Sequence, residues 1–341
     1  MSENGTPCIL YGELYTKYKS EIISKVISKT DIEESKLKHS KQNDVIIPCS
    51  GETAIDIAVA RCVPFDNVLL GGDLNVIRLH KYDGAFMAYQ LNGKRKTDIA
   101  KLAQGVSVVH LYGENLKSIK TYNPSLQEQQ KIVKLLSMLD ERLEVQNKII
   151  EDLKKLKSAI SKKLLCNDKW TTYKIQDIAE IGRGRVISSV EIEKQRHPLY
   201  PVYSSQTSND GIMGYLDNYM FDGEYITWTT DGANAGTVFY RNGKFNCTNV
   251  CGTLKIHLQF DCHFVSLVLQ QATQKYVSSN LANPKLMNNT MASIKIRMPD
   301  METQKRLSKV FQTLDSRLLV HQCTYEMYLR EKQYLLNQMF I

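Results

Sequence analysis

The amino-acid sequence contains one long segment twice, and this duplication constrains the possible fold more than any other feature. Residues 118–165 align without a gap with residues 293–340 at a constant offset of 175. Both copies open with the tripeptide Ser-Ile-Lys, and both place a proline a few residues later, at Pro124 and Pro299. Self-similarity at a fixed offset is typical of a structural element that is used more than once. We therefore predict two copies of one long element in the same chain.

Apolar residues in each copy recur at steps that alternate between four and three, which is the period of a coiled-coil seam. Polar residues interrupt the seam at the same two places, Gln146 and Lys157 in the first copy and His321 and Lys332 in the second. Matched interruptions favour a single register, because a misplaced polar seam residue costs stability. The predicted seam residues are Ile132, Leu136, Leu139, Leu143, Ile150 and Leu153 in the first copy, and Leu307, Phe311, Leu314, Leu318, Tyr325 and Tyr328 in the second.

Each copy is predicted to form a long helix, over about 125–165 and about 300–340. Ser125 and Glu128 have the spacing of a capping box, and Asp300 is a favourable N-cap for the second helix. The alternative is a pair of ordinary amphipathic helices buried in two separate helical domains. A strict seam of this length is rarer than ordinary amphipathicity, so the pattern favours a coiled coil.

The segments outside the helices also repeat, more weakly, at an offset of 180. Residues 44–46 align with 224–226, and Gly72 aligns with Gly252, within stretches rich in β-forming residues. We predict an α+β protein in which two β-rich α/β domains are separated by two long α-helices packed as an antiparallel coiled coil. The predicted segments are 1–118 for the first globular domain, 119–167 for the first helix, 168–293 for the second globular domain and 294–341 for the second helix.

Two equal helices from one chain can pack antiparallel through their seams, with the globular domains at opposite ends. At 1.5 Å per residue each helix is about 60 Å long, and a separation of roughly 50 Å corresponds to about 15 base pairs of duplex DNA. The net charge of +8 permits an anionic partner such as nucleic acid. This arrangement is suited to reading two short sequences a fixed distance apart. The rival interpretation is a coiled-coil protein-interaction scaffold without specific DNA reading.

The helix sequences resemble those of one known family. The first helix begins PSLQEQQKIVKLLSMLDERLEVQ at Pro124, and its order of Pro, Glu-Gln-Gln, Ile, Leu and Leu-Asp is similar to that of specificity subunits of Type I restriction–modification systems. The second, PDMETQKRLSKVFQTLDSRLLVH, is a looser match. Residues 200–254 are similar to one recurring type of target recognition domain in that family, and the opening GTPCILYGELYTKY resembles another. The resemblance covers essentially the whole chain.

The resemblance implies a non-catalytic DNA-recognition subunit that reads a bipartite target, with one half-site per domain. The partners it implies are double-stranded DNA, two modification (methyltransferase) subunits docked on the helices and adjoining surfaces, and restriction (translocase/endonuclease) subunits. No cofactor is expected in this chain, because S-adenosylmethionine, ATP and Mg would belong to the partner subunits. The sequence agrees with this division, since it has neither a GxxxxGK[ST] phosphate loop nor the Asn/Asp-Pro-Pro-aromatic motif of amino-methylating enzymes.

Loops rich in hydrogen-bonding side chains are the candidate DNA contacts, because such groups bind base edges and phosphates. The second domain has two such loops, 203–209 and 228–234, and the first has counterparts at 11–18 and 50–53. Solvated turn residues are the alternative for any one of them. The candidates are Tyr11, Tyr15, Thr16, Lys17, Tyr18, Ser50, Thr53, Tyr203, Ser204, Ser205, Gln206, Thr207, Asn209, Trp228, Thr229, Thr230, Asn234 and Lys285.

Five residues invite a zinc interpretation, namely Cys247, Cys251, His257, Cys262 and His263. Their spacing lacks the tight knuckle of structural zinc sites, and alternation along strands explains them equally well, so no metal site is predicted. The eight cysteines form no CxxC pair, which is typical of reduced thiols in the cytoplasm. No apolar run is long enough to span a membrane.

The two globular domains differ at their starts. The second domain begins at Trp170 and reaches Pro201 after a long lead-in, whereas the first reaches the matching Pro7 almost at once. We therefore expect the start of the family's pattern to be missing upstream of Met1, and the first target recognition domain to be N-terminally shortened.

Overall fold

A computed structural model describes residues 4–33, 35, 37–165, 167–278 and 283–340. The chain forms two compact units. The first unit comprises the residues up to Ile150 together with those from Val320 onward, and the second comprises Glu151–Leu319. The units therefore divide both long helices, whereas the four predicted segments kept each helix whole. None of the helices in the described part of the chain is long and apolar enough to cross a membrane.

The first unit is built from small sheets and short helices. Its strands are β1 (Thr6–Ile9), β2 (Ser28–Thr30), β3 (Lys38–His39), β4 (Asp44–Pro48), β5 (Ser50–Gly51), β6 (Arg61–Val63), β7 (Leu69–Leu70), β8 (Leu74–Ile77) and β9 (Val109–His110). Its short helices are α1 (Glu13–Thr16), α2 (Ala54–Ile57), α3 (Gly84–Asn92), α4 (Lys96–Lys101) and α5 (Gly113–Leu116). The strand orders are β2-β1-β7-β3, β6-β4-β8 and β5-β9.

Two long helices follow the two sets of strands, α6 (Leu126–Leu164) and α11 (Met301–Met339), each of 39 residues. The second unit contains the strands β10 (Thr171–Lys174), β11 (Ala179–Arg183), β12 (Tyr200–Tyr203), β13 (Ile212–Leu216), β14 (Glu224–Thr229), β15 (Val238–Asn242), β16 (Asn246–Cys247), β17 (Cys251–Ile256) and β18 (Lys295–Met298). Its short helices are α7 (Ile175–Ile178), α8 (Ser189–Glu193), α9 (Cys262–Ala272) and α10 (Asn288–Ser293), with 3₁₀ turns at Ser208–Gly211 and Thr273–Tyr276. The strand orders are β11-β17-β14-β15, β13-β12-β16 and β10-β18.

The sheet topology is duplicated, as the weak repeat at an offset of 180 predicts. Strand β1 pairs antiparallel with β2 and parallel with β7, and β12 pairs in the same two ways with β13 and β16. Strand β4 lies between β6 and β8, and β14 lies between β15 and β17, with antiparallel pairing throughout. The two units therefore contain equivalent sheets built from sequences with little identity.

The long helices begin and end within one residue of the predicted limits. The Glu128 amide donates to Ser125 Oγ at 3.4 Å, and the Thr303 amide donates to Asp300 Oδ1 at 2.9 Å. Both predicted caps are therefore formed, and each satisfies an amide that the helix itself leaves unpaired. The predicted seam residues are all buried or half-buried, whereas neighbouring positions such as Met138 are exposed.

The helices pair antiparallel, which confirms the predicted coiled coil. In the first unit Gln146 contacts His321 and Asp140 contacts Lys332, so residue numbers fall along one helix as they rise along the other. In the second unit Lys157 forms an ion pair with Asp315. The Asp–Lys pairs are equivalent, because Asp315 and Lys332 follow Asp140 and Lys157 by the repeat offset.

Each unit has a core that includes one part of each helix. In the first unit, Phe86 and Tyr89 of α3 pack with Leu136 of α6 and with Leu336 of α11. In the second unit, Trp228 and Phe264 belong to one cluster with Leu307 and Phe311 of α11. Full burial of an apolar side chain of this size stabilises the fold by about 1.5–3 kcal/mol.

A buried glutamine anchors the start of each long helix. Gln129 donates through Nε2 to the carbonyl of Pro124 at 2.8 Å and accepts at Oε1 from the amide of Asp83 at 2.9 Å. Gln304 makes the same two bonds, to the carbonyl of its own preceding proline at 2.8 Å and to the amide of Asp261 at 3.0 Å. Asp83 and Asp261 are themselves the N-caps of α3 and α9. The repeat has therefore kept a complete hydrogen-bond arrangement, which explains the glutamine in the family-like helix pattern.

A buried charge cluster lies in the first unit. Lys332 Nζ contacts the carboxylates of Glu21 and Asp140, and all three side chains are at least nine-tenths buried. Asp140 also accepts hydrogen bonds from Tyr89 Oη at 2.7 Å and Ser20 Oγ at 3.0 Å. Burial, together with the Asp140 carboxylate, raises the pKa of Tyr89, so the phenol stays a donor. These bonds offset the cost of removing three charges from water.

Candidate nucleic-acid interface

In the first domain, the candidate residues begin immediately after β1. We call the residues Tyr11–Tyr18, which include α1, segment 1. The buried carboxylate of Glu13 shapes this segment, because it accepts from the Leu10 amide at 3.3 Å and pairs with Lys17 Nζ at 2.8 Å. Thr16 and Lys17 are exposed, and Tyr11 and Tyr15 are half-buried. Polar groups at this surface can donate to phosphate or base edges.

Tyr15 brings segment 1 next to the second candidate stretch of the first domain. A methyl group built on Gly51 would lie 3.5 Å from Tyr15 Oη. Burial raises the pKa of the Tyr15 phenol, and the nearby carboxylates Glu52 and Asp56 raise it further. Tyr15 of segment 1 therefore lies beside Gly51, within the second candidate stretch.

Two of the first-domain candidates, Tyr18 and Ser50, are not exposed. Tyr18 is buried, and its Oη accepts from the Ile27 amide at 3.2 Å. Ser50 is also buried and donates to Asp73 Oδ2 at 3.0 Å. Both side chains support the surface from within and do not belong to it.

In the second domain, the first candidate loop follows β12, the counterpart of β1. We call Ser204–Gly211 segment 2. The Ser204 amide donates to the Gly211 carbonyl at 2.9 Å, which closes the loop, and Gln206 Nε2 donates to the Ile212 carbonyl. Thr207 and Asn209 are exposed, whereas Ser205 is half-buried. Tyr203, half-buried beneath the loop, lies with its ring centroid 3.6 Å from the Arg241 guanidinium carbon.

The second candidate loop of this domain is only partly exposed. Trp228 is fully buried, and its Nε1 donates to the Leu286 carbonyl at 2.9 Å. Thr229 and Thr230 are also buried. These three predicted DNA contacts are therefore not exposed, because their side chains form the base of the loop. Asn234 is exposed at its tip.

An acidic residue and two cations lie beside this loop. Asp231 pairs with Arg183 at 3.3 Å and with the predicted contact Lys285 at 3.6 Å. Arg183 Nη2 also donates to Thr230 Oγ1 at 2.9 Å. Both cationic side chains remain about one-third or more exposed, so they can contact a phosphate. Arg183 is not among the predicted contacts, because only the pairing of β11 with β17 places it next to this loop.

The two loops of the second domain meet through the turn that precedes β17. The Thr248 amide donates to the Tyr203 carbonyl, and its Oγ1 lies 3.5 Å from Ser204 Oγ. Two residues further on, the Val250 carbonyl accepts from the Thr230 amide at 2.9 Å. Segment 2 and the 228–234 loop therefore lie at one end of this domain.

The cysteines considered for zinc are dispersed through the second domain. Cys247 lies in β16 and Cys251 in β17, which belong to different sheets, and Cys262 with His263 opens α9. Burial raises the pKa of Cys251 to about 11 and of Cys262 to about 12, so these thiols are neutral at physiological pH. In the part of the chain that the structure describes, no group of three His, Cys, Asp or Glu residues is placed to hold a metal.

A family model matches the chain twice, over residues 4–155 and 167–324, and its description is Type I restriction modification DNA specificity domain. One relative is a Mycoplasma pneumoniae protein that is provisionally named as the N-terminus of a type I specificity subunit. It is 45% identical over 143 residues, which are 42% of this chain and 76% of that protein. The specificity subunit of the type I restriction enzyme MpnII of the same organism is 39% identical over 178 residues, or 51% of this chain and 53% of that protein. Among solved structures, the S subunit of a Type I restriction–modification system from M. genitalium superposes with a TM-score of 0.70 at 20% identity, covering 98% of this chain and 92% of that one. This last likeness concerns the fold.

Proposed function

The chain belongs to the family of Type I restriction–modification DNA specificity domains, and from this premise we propose that it directs a type I complex to DNA by reading a two-part target. Each globular domain reads one half-site, and the paired helices set the distance between the half-sites. The observation that carries the proposal is that the family model matches twice, and that each match contains one of the two candidate interfaces.

The chemistry of the two interfaces supports direct contact with DNA. Exposed hydroxyl and amide groups, such as those of Thr16, Thr207, Asn209 and Asn234, can form hydrogen bonds with base edges. Arg183 can contact phosphates, which position the protein without specifying sequence. The net charge of +8 favours association with a polyanion.

The chain acts as a non-catalytic subunit in this proposal. Two modification subunits dock on the long helices and adjoining surfaces, and restriction subunits join that core in the cytoplasm. S-adenosylmethionine, ATP and Mg are bound by these partners. Exposed apolar side chains on the helices support docking, since Met138 and Met327 are 47% and 67% exposed. Purified chain incubated with DNA and labelled S-adenosylmethionine should transfer no methyl group, and transfer would contradict this division of roles.

Methylation mapping tests the DNA reading directly. Genomic DNA from cells that express this chain with its modification subunits should carry a methylated motif of two short parts with a fixed gap. A motif with one part, or a palindrome, would contradict reading by both domains. The absence of any motif despite an assembled complex would overturn the proposal.

The competing function is a protein-interaction scaffold without specific DNA reading. A salt titration separates the two, because phosphate-driven binding weakens steeply with ionic strength and a hydrophobic interface does not. We expect binding of the complex to duplex DNA to weaken by orders of magnitude between about 50 and 200 mM salt. Binding to DNA that is insensitive to salt would favour the scaffold.

A further inference from the structure

Each globular domain contains a buried arginine on an equivalent strand. Arg61 lies in β6 and is 6% exposed, and Arg241 lies in β15 and is 4% exposed. The two residues are 180 positions apart, which is the offset at which the globular repeats align. Strands β6 and β15 each pair antiparallel with the central strand of their sheet, β4 or β14. Both domains therefore contain a buried arginine on the strand that pairs with this inner strand.

Arg241 holds segment 2 from beneath. Its Nη2 donates to the carbonyl of Asp210 at 2.8 Å, and its Nη1 pairs with the carboxylate of the same residue at 2.5 Å. The guanidinium stacks between two rings, with its carbon 3.6 Å from the Tyr203 centroid and 4.4 Å from that of Phe239. A planar cation with several donors is suited to this place, because it binds two oxygens and two aromatic faces at once.

Arg61 holds segment 1 in the same manner. Its Nε donates to the carbonyl of Leu14 at 3.1 Å, and its Nη2 donates to the carbonyl of Tyr18 at 2.9 Å. Both acceptors belong to segment 1, which follows β1 as segment 2 follows β12. Burial lowers the pKa of the Arg61 guanidinium, and the carboxylates of Glu21 and Asp140 counteract this by favouring its charged form.

Segment 2 has a conformation that needs support. Asn209 and Asp210 have φ of 49° and 52°, in the left-handed region. Two consecutive residues other than glycine are uncommon there, and such conformations persist where surrounding contacts hold them. The two bonds from Arg241 to Asp210 are contacts of this kind. The exposed side chains of segment 2 therefore depend on a residue that is itself inaccessible to DNA.

We propose that Arg61 and Arg241 are equivalent positioning residues, each of which holds the DNA-reading segment of its own domain in the conformation that recognises one half-site. This inference rests on the proposed function. It adds the residues that determine how accurately each domain recognises its half-site. It predicts that changes at the two arginines affect different half-sites.

The test uses the full chain in complex with its modification subunits and DNA libraries in which each half-site is randomised in turn. Arg241→Lys keeps the charge and loses the planar fork, and Arg61→Lys does the same in the first domain. Asp210→Asn removes the ionic partner of Arg241 at a side chain that is 65% exposed. Arg196→Lys, at an exposed site of the second domain, is the control.

We expect Arg241→Lys and Asp210→Asn to lower the preference for the correct bases of one half-site about tenfold, as for a misplaced base contact. Arg61→Lys should do the same at the other half-site. The salt dependence of binding should stay unchanged, because neither arginine contacts a phosphate. A purely structural role would instead lower the yield of folded complex, or weaken both half-sites alike.

The outcomes separate this inference from the proposed function. A wild-type complex that selects no two-part sequence would refute the function itself. A wild-type complex that selects one, with folded variants that select it equally well, would overturn the inference alone. If the buried-arginine variants do not fold, Asp210→Asn decides the question, since unchanged selectivity in that variant would also overturn the inference.

Discussion

His321 Nδ1 lies 2.8 Å from Gln146 Oε1, and the two residues are separated by 175 positions, the offset of the internal repeat. Each residue therefore pairs with its own counterpart. Such self-pairing requires a local two-fold relation between the helices at this point of the first unit. The Asp140–Lys332 and Lys157–Asp315 ion pairs are one interaction formed once in each unit, because each residue of one pair has its repeat counterpart in the other.

The self-paired position predicts that its two residues can be exchanged. The double variant Gln146→His with His321→Gln should have a free energy of unfolding, measured in urea, within about 0.5 kcal/mol of that of wild type. His321→Leu alone should cost about 1 kcal/mol, because the half-buried Gln146 loses its partner. Equal losses in the double and single variants would contradict the two-fold relation.

The buried charge cluster predicts different costs at two equivalent lysines. Lys332→Met should lower the free energy of unfolding by about 3–5 kcal/mol, because it leaves the buried carboxylates of Glu21 and Asp140 without a cation. Lys157→Met changes the repeat counterpart, whose side chain is 29% exposed, and should cost about 1 kcal/mol or less. Urea unfolding of both variants measures the difference, and a Lys157 variant as unstable as the Lys332 variant would refute this ranking.

The buried glutamine at the start of α6 is predicted to be sensitive to loss of its amide. Gln129→Leu leaves the Asp83 amide and the Pro124 carbonyl without partners and should cost about 2 kcal/mol. Gln130→Leu, at the exposed neighbouring position, is the matched control and should change stability by less than about 0.5 kcal/mol. Thermal unfolding compares the two variants. Similar melting temperatures would mean that the bonds of Gln129 contribute little.

His263 predicts a loss of stability in acid. Its Nδ1 lies 2.7 Å from Ser308 Oγ, and burial lowers its pKa. A lowered pKa means that the fold favours neutral imidazole, so this contribution is complete above the unfolded-state pKa of about 6.5 and is lost as pH falls from there through the folded-state pKa.

Urea midpoints at pH 7.5 and 5.0 test this expectation. Wild type should lose more stability between the two pH values than His263→Gln, which cannot gain a proton there. The exposed His197→Gln is the control and should behave like wild type. An equal loss in wild type and His263→Gln would contradict the prediction.

The seam predicts that assembly and DNA reading fail together when it is disrupted. Leu139→Glu places a carboxylate at a buried seam position and should cost about 3 kcal/mol or more. The complex with modification subunits and binding to the two-part site should be lost in parallel. Asn147→Glu, at an exposed polar position of the same helix, should keep both the fold and the assembly. Size-exclusion chromatography measures assembly, and a DNA-binding assay measures binding to the two-part site. Normal assembly and binding of the Leu139 variant would refute the spacer role.

The helices could be predicted closely because their signals are local. The steps of three and four, the capping residues and the prolines all lie within a few residues of the feature that they specify, and the seam of Leu136, Leu139 and Leu143 is buried as expected. The family resemblance was likewise confirmed, since it was carried by contiguous motifs.

The candidate interface could be predicted only in outline. Residues 204–209 lie outside strands, as expected for a loop, but burial of Trp228 depends on Leu286, 58 residues away, which no local pattern shows. Arg241 was missed for the same reason, because its partner Asp210 is 31 residues distant. The period of a sequence reveals which face of a helix is apolar, whereas it does not reveal which buried group supports an irregular loop.

The division of the chain into units has a consequence for the order of synthesis. The second unit is continuous from Glu151 to Leu319, so it can fold as soon as those residues have left the ribosome. The first unit needs Leu336 and Phe340 to cover Phe86 and Leu136. Its apolar surface therefore stays open while nearly two hundred further residues are made. A nascent chain stalled before α11 would leave that surface exposed to chaperones and proteases.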